Sequence, residues 1–206
     1  MHYKPFVEMK KILLLVALPA ELGREVADSL SRQCDIRYIG VGKINAFEAT
    51  LSALMQEEEY DAVINAGTAG SFRHPFGTIL YPSQVAQGDA FIGTDFSSAT
   101  EAVGSGDTDT AIVSGDNFIG EDTPDAYRRL IEGYDCMDME SYAVVRAIKF
   151  HSAGNQKPLP KIFLAKVVSD GADGSIGDWA TRLRQLRPTL QKAIQQIIDQ
   201  INEEQL

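Results

Sequence analysis

The 206-residue sequence predicts an α/β fold, a three-layer α/β/α domain around a central mixed, mostly parallel sheet. Apolar runs of strand length alternate with helical patterns along the chain, and polar or glycine-rich residues follow several of the strands. The composition, 44% hydrophobic and 23% charged, suits a globular domain with a substantial core. No linker or internal repeat divides the chain. We therefore expect one domain over residues 1–206, with 1–8 as a loose N-terminal extension.

The apolar run at residues 12–18 is interpreted as a buried first strand. Its basic flank, Lys10 and Lys11, also resembles the start of a short signal peptide. The strand is favoured because a helical pattern begins directly after Pro19, and because a continuous apolar run is typical of a strand buried on both faces. No other run approaches the ~20 apolar residues of a membrane span, so we expect no membrane partner.

The other elements follow from periodicity and turn residues. The predicted helices lie at 21–30, 44–55, 124–132, 142–151 and 190–201. The further strands are predicted at 36–41, 62–65, 78–80, 85–92, 111–113 and 162–168. A glycine-rich turn is expected at 67–70. The segment 95–110 is rich in Ser, Thr, Asp and Gly without periodicity, and we interpret it as a surface loop.

Charge and cysteine content exclude several classes of function. The 19 Lys and Arg against 29 Asp and Glu give a net charge of −10, without the clustered cations of a nucleic-acid binder. Cys34 and Cys136 form no CxxC pair, and the three histidines lack metal-ligand spacing. We therefore expect no metal, no cofactor, no nucleic-acid partner, and a cytoplasmic protein.

Acidic residues follow several predicted strands, at the sheet edge where open α/β folds bind ligands. Glu21 follows the first strand and Asp170 the last, while Asp138 and Glu140 lie in CMDMESY before a helix. Each has a structural alternative, as a helix cap, a first-turn acid or an Asx turn. Taken together, Glu21, Glu140 and Asp170 would face one cleft. That convergence favours general acid–base chemistry.

Six segments, in order over nearly the whole chain, are ALPAEL, GVGKINA, INAGTAGSF, VSGDNFI, DMES and VVSDGAD. Together they resemble the nucleoside phosphorylase and nucleosidase superfamily, and most of all the 5'-methylthioadenosine/S-adenosylhomocysteine nucleosidases. The resemblance implies a homodimeric purine-nucleoside N-ribosylhydrolase that needs no cofactor. Such an enzyme uses water to cleave the N-glycosidic bond of a 5'-substituted adenosine, and it releases the free base.

The resemblance also implies roles at individual positions. Asp170 would be the acid that protonates the leaving purine at N7, and Glu21 would position the attacking water. Glu140 would hold the ribose hydroxyls. The other substrate-binding positions implied are Met139 under the sugar, Phe118 stacked on the purine, Ile119 at the base edge, Thr68, Ala69 and Gly70 in the turn near the water, Ser169 beside the acid, and Asp138 in DMES.

Phosphorolysis is the main alternative reaction. It requires a phosphate dianion held by arginines and backbone donors. The INAGTAGSF segment has no arginine and GVGK offers only Lys43, which leaves Arg24, Arg37 and Arg73 as further candidates. Hydrolysis is therefore favoured. The family's arginine before the SD pair is Lys166 here. A futalosine-type hydrolase and a non-catalytic nucleoside-binding relative remain open, although a binder has no need of a leaving-group acid.

Overall fold

The computed structural model describes residues 10–56, 59–92, 95–96, 100–120, 122–172 and 179–203, so the expected extension at 1–8 lies outside the described residues. The strands within these ranges are β1 (Ile12–Val16), β2 (Asp35–Tyr38), β3 (Ala62–Gly70), β4 (Ile79–Leu80), β5 (Pro82–Gln87), β6 (Phe91–Ile92), β7 (Asp95–Phe96), β8 (Thr100–Ala102), β9 (Asp107–Ser114), β10 (Cys136–Asp138) and β11 (Lys161–Asp170). The helices are α1 (Pro19–Leu30), α2 (Lys43–Met55), α3 (Asp125–Glu132), α4 (Ser141–Asn155) and α5 (Trp179–Glu203).

The central sheet is mixed and mostly parallel, as the sequence predicts. Strand β1 pairs in parallel with β2 and β3, and β11 runs parallel to β3 along its whole length. Strand β9 pairs in parallel with β5 and β10. The antiparallel pairs are short: β8 on β5, β4 on β11, and a contact between Met137 of β10 and Gly70 of β3.

Helices cover both faces of this sheet and complete the three layers. One buried apolar cluster joins the sheet to α2 and α4, and a second joins it to α1 and α5. Every residue of β1 is buried, because the strand lies between these two helical layers. Within the described ranges, no helix combines the length and apolar content needed to cross a membrane.

Several sequence predictions are wrong, and strand pairing explains most of them. The segment interpreted as a loop at 95–110 contains β7, β8 and the start of β9; β8 pairs with β5 through its backbone, so polar side chains do not prevent a strand. The turn expected at 67–70 is instead the end of β3, paired with β11. Strand β10 was not predicted, and α5 begins at Trp179, well before 190.

Helix α1 contains a break at Gly23 that sets the position of its first turn. Gly23 has φ 67° and ψ 172°, a conformation that side chains with a Cβ rarely adopt. The guanidinium of Arg187 fills the space beside it and donates to the Ala20 carbonyl at 2.8 and 3.2 Å. A Cβ at Gly23 would lie 2.7 Å from that guanidinium. The break therefore fixes the turn that contains Glu21.

We expect Gly23→Ala to lower the free energy of unfolding by about 1–3 kcal/mol, the usual cost of a residue held in a sparsely populated conformation. The matched control is Gly154→Ala in α4, where an added Cβ meets nothing within 4 Å. That change should be neutral or stabilise by about 0.4–1 kcal/mol, because it reduces the entropy of the unfolded chain. Urea unfolding of both variants measures the difference, and equal stability of the two would contradict the role of the break.

Candidate active site

A pocket of about 380 Å³ opens at the carboxyl ends of the parallel strands. All eleven site residues implied by the resemblance lie in its lining. The other lining residues are Ala17, Leu18, Val41, Asn117, Met137, Ala172 and Trp179. Leu18 and Val41 belong to the ALPAEL and GVGKINA segments, so the sequence offered a signal for them. Trp179, the only tryptophan of the chain, lies in no such motif.

Glu21 is buried and faces the pocket from the first turn of α1. Its Oε1 accepts hydrogen bonds from the Thr68 N–H at 2.8 Å and the Thr68 hydroxyl at 3.1 Å, and its Oε2 accepts one from the Leu18 N–H at 3.2 Å. Burial raises the pKa of Glu21, although these donors oppose the shift. A Cβ at Gly67 would lie 2.8 Å from Oε1, so the glycine allows β3 to approach the carboxylate.

Glu140 immediately precedes α4 but does not cap it. Its Oε1 accepts a hydrogen bond from the Gly42 N–H at 2.9 Å, and the side chain faces the pocket. Burial, together with the nearby negative charge of Asp138, raises the pKa of Glu140 to about 7. The helix is capped instead by Asp138, whose carboxylate accepts hydrogen bonds from the Ser141 N–H at 3.1 and 3.2 Å. The two acids of DMES therefore have different structural roles.

Asp138 forms a fully buried ion pair with Lys166. The two charged groups are 2.9 Å apart, and both side chains are at most 2% exposed. Burial alone would raise the pKa of Asp138, but the Lys166 ammonium and the hydroxyls of Ser114 and Ser141 hold it below its usual range. Lys166 also donates to the Asn65 side-chain carbonyl at 2.9 Å. Lys166 thus has two buried acceptors, one charged and one neutral.

Asp170 lies at the end of β11, after an irregularity in the pairing between β11 and β3. Its Oδ2 accepts a hydrogen bond from the Ser169 hydroxyl at 2.7 Å, and its Oδ1 accepts one from the Ala172 N–H at 2.9 Å. The Asx turn considered from the sequence is therefore present, and the same carboxyl lines the pocket. A Cβ at Gly70 would lie 2.9 Å from Oδ1, so this residue also permits a close approach.

Apolar side chains form the remaining wall of the pocket. Phe118 is 71% exposed, whereas Ile119 is buried and Met139 is half-buried. Trp179 reaches the same wall from the start of α5. An exposed aromatic ring beside a concave site provides a surface on which a planar ligand could stack.

No lysine or arginine of the described residues lines this pocket. Lys43 pairs with Asp89, and its ammonium is thereby occupied. Arg24, Arg37 and Arg73, the other cations considered for a phosphate, also lie outside the lining. In the same part of the chain, no group of three or more His, Cys, Asp or Glu side chains is arranged to hold a metal ion.

We expect Lys166→Met to lower the free energy of unfolding by about 3–5 kcal/mol, because Asp138 would remain as an unpaired buried charge. The double variant Lys166→Met with Asp138→Asn should recover most of this loss, since removal of both charges of a buried pair is often nearly neutral. Urea unfolding measures both variants. A single variant as stable as wild type, or a double variant no better than the single one, would contradict the importance of the pair.

Neither a protein-family model nor a curated protein matches the sequence. Solved structures do match. The Helicobacter pylori 5'-methylthioadenosine/S-adenosylhomocysteine nucleosidase aligns with a TM-score of 0.70 and 16% identity over 93% of this chain and 99% of its own. The Neisseria meningitidis enzyme, in complex with methylthio-immucillin-A, gives 0.68 and 18% over 94% and 99%. Helicobacter pylori futalosine hydrolase gives 0.69 and 16% over 93% and 98%. The chain therefore has the fold of these nucleosidases.

Proposed function

We propose that the protein is a purine-nucleoside N-ribosylhydrolase that acts on a 5'-substituted adenosine such as 5'-methylthioadenosine or S-adenosylhomocysteine. The observation that supports this most directly is the meeting of Glu21, Glu140 and Asp170 in one pocket. They come from the first turn of α1, the start of α4 and the end of β11, three separate parts of the chain. Nucleoside hydrolysis requires one group to position the water, one to hold the sugar and one to protonate the leaving base.

Glu140 would hold the ribose. Its Oε1 already accepts the Gly42 N–H, and the remaining carboxylate lone pairs can accept from two sugar hydroxyls. Cleavage of an N-glycosidic bond passes through an oxocarbenium-like state, as in glycoside hydrolysis. A carboxylate beside that sugar stabilises the developing positive charge. Ligand hydroxyls would also offset the cost of the buried acid.

Asp170 would donate a proton to the purine at N7 as the C–N bond breaks. A purine anion is a poor leaving group, and a positioned general acid contributes about 10²–10⁴ in rate. The Ser169 hydroxyl can donate either to Asp170 or to the Ala69 carbonyl, at 2.7 and 3.3 Å. It can therefore donate to Asp170 when the carboxyl group is ionised and to Ala69 when the carboxyl group is protonated. The base itself would lie against Phe118 and Ile119.

Glu21 would position the attacking water. Thr68 and Leu18 fix both carboxylate oxygens through hydrogen bonds, which prevents the side chain from rotating away. Oε1 already accepts two hydrogen bonds from Thr68, whereas Oε2 accepts one from Leu18 and has a further lone pair that can accept from water. The raised pKa of Glu21 suits a group that takes a proton from the water as it attacks.

Hydrolysis is favoured over phosphorolysis by the state of the nearby cations. A phosphate dianion is normally held by several free arginines or lysines. Here Lys166 is occupied by Asp138 and Asn65, and Lys43 by Asp89. A futalosine-type hydrolase is the second candidate, because the Helicobacter pylori futalosine hydrolase aligns with nearly the same TM-score, 0.69, as the methylthioadenosine nucleosidase of that organism.

We further propose a homodimer. Large apolar side chains are exposed on α2 and α4, with Ile44 77%, Met55 69% and Phe150 60% exposed. These side chains belong to two helices that pack against each other, and a second subunit could cover them. Sedimentation equilibrium would measure the state directly.

A cytoplasmic location is proposed on the state of the cysteines. Cys34 and Cys136 are both free and buried. Unpaired thiols are typical of reducing compartments, which agrees with the proposed metabolic role.

We expect wild-type protein to release adenine from 5'-methylthioadenosine at a rate independent of phosphate. Asp170→Asn should reduce kcat by about 10²–10⁴, because the amide cannot protonate the leaving base. Asp125→Asn, at an exposed position in the first turn of α3, is the matched control and should be unchanged. Release that requires phosphate would move the proposal to phosphorolysis. If 5'-methylthioadenosine is not cleaved, base release from a panel of nucleosides that includes futalosine would show which 5' substituent the enzyme accepts.

We expect binding of 5'-methylthioadenosine to Asp170→Asn protein to tighten about tenfold between about pH 6 and pH 8, because only ionised Glu140 accepts both hydroxyls and its pKa is about 7. The free energy of unfolding of the unliganded protein changes in the opposite direction. Because burial favours the neutral form of Glu140, its stabilising contribution is full below about pH 4.5 and is lost as the pH rises through about 7. Fluorescence of Trp179 reports binding. Adenine, which lacks the sugar, is the control ligand, and Glu140→Gln should abolish the pH dependence.

A further inference from the structure

Three charged residues meet beside the pocket without entering its lining. Lys43 begins α2, Asp89 follows β5, and Asp116 follows β9, so they belong to three different connections of the sheet. The Lys43 ammonium pairs with both carboxylate oxygens of Asp89 and lies 3.3 Å from Asp116 Oδ2. The side chains of Lys43 and Asp89 are 15% and 11% exposed. Such shielding strengthens their mutual attraction relative to a surface pair.

The three residues form a closed ring of hydrogen bonds. The backbone N–H of Lys43 donates to Asp116 Oδ1 at 2.8 Å, and the backbone N–H of Asp116 donates to Asp89 Oδ2 at 2.8 Å. Burial would raise the pKa of Asp89, but the Lys43 ammonium and the Asp116 N–H hold it below its usual range. Asp89 therefore remains charged near neutral pH. We refer to Lys43, Asp89 and Asp116 as the charged ring.

The residues next to the charged ring either line the pocket or hold a residue that lines it. Gly42, which precedes Lys43, donates its N–H to Glu140 at 2.9 Å. Asn117, Phe118 and Ile119, which follow Asp116, line the pocket. Consequently the link between Lys43 and Asp116 joins the backbone that holds the sugar carboxylate to the loop that forms the base-binding wall.

We propose that Lys43, through Asp116 and Asp89, is a positioning residue that fixes the base-binding loop relative to Glu140. This rests on the proposed function, since it assigns the two sides of the pocket to base and sugar. A nucleoside joins its base to its sugar by a single covalent bond, so the two groups bind at a nearly fixed separation. Misplacement of about 1 Å can cost on the order of 10²-fold in rate. A link that fixes the two sides should therefore favour the intact nucleoside over the free base.

A purely structural ion pair would behave differently. Its loss would lower stability or weaken all ligands alike, without changing their relative affinities. The ion pair between Lys149 and Glu101 provides a matched comparison, because it joins α4 to β8 at 2.9 Å and lies outside the pocket lining. Replacement of Lys149 tests the general effect of removing a partly buried lysine.

The experiment measures dissociation constants of adenine and 5'-methylthioadenosine by Trp179 fluorescence in Asp170→Asn protein, in which turnover is expected to be about 10²–10⁴-fold slower than in the wild type. Lys43→Met should reduce the nucleoside-to-base affinity ratio at least about fivefold, the lower end of typical coupling between sites. Lys149→Met should leave the ratio unchanged. Lys43→Arg keeps the positive charge and should restore part of the ratio, while the backbone donor to Asp116 is present in both variants.

Asp116→Ala is a second variant, chosen because Asp116 is 42% exposed and its loss leaves the pair between Lys43 and Asp89 intact. It should reproduce the reduced ratio in a folded protein even if Lys43→Met does not fold. An unchanged ratio in Asp116→Ala would overturn the inference, as would failure of the protein to bind the nucleoside at all. Nucleoside binding with a reduced ratio, but without adenine release by the wild type, would support the positioning role and reject the proposed reaction.

Discussion

The buried ion pair between Lys166 and Asp138 is the interaction on which the geometry of the pocket depends. Charges this deep are stabilised only by each other and by their hydrogen-bond partners, so their strands cannot shift independently. Asp138 ends β10 two residues before Glu140, and Lys166 lies in β11 four residues before Asp170. The ion pair therefore sets the separation between the proposed sugar-binding carboxylate and the proposed acid.

The same ammonium also acts on the other acids of the pocket. Its positive charge lowers the pKa of both Glu21 and Glu140, against the larger effect of burial. One buried cation is thus surrounded by three carboxylates, if Asp138 is included. Such an excess of negative charge is costly in an empty site. In the proposed reaction, the ligand would offset this cost by supplying hydroxyl donors and then by developing positive charge on its sugar ring.

The sequence could predict where the site lies because the relevant residues follow strands whose periodicity is clear. Glu21 and Asp170 flank β1 and β11, two long apolar runs, and the sheet brings their carboxyl ends together. Asp138 was harder to interpret. The strand it ends has only three residues, and its conformation depends on pairing with β9 rather than on intrinsic propensity. The structure shows that Asp138, and not Glu140, accepts the hydrogen bond from the Ser141 N–H that caps α4, and the sequence alone does not distinguish the two acids.

The partners of the cations were also beyond sequence reasoning. Lys166 lies within an apolar strand pattern, and nothing local indicates that Asp138 and Asn65 face it. From the sequence, Lys43 was a candidate to bind phosphate, because nothing near it in the sequence indicates that it pairs with Asp89, 46 residues away along the chain. Periodicity specifies which face a residue occupies, whereas an ion pair depends on the register between distant strands.

The pairing of these cations bears on the chemistry as well as on the fold. A phosphorylase needs positive groups that are free to contact its second substrate. Outside the pocket lining, Lys166 and Lys43 instead pair with carboxylates, and the charged residues among the described lining residues are all acidic. A dianion entering this site would meet Glu21 and Glu140 without a compensating cation. A neutral water carries no charge for Glu21 and Glu140 to repel, so the arrangement that stabilises the scaffold suits the proposed hydrolysis better than phosphorolysis.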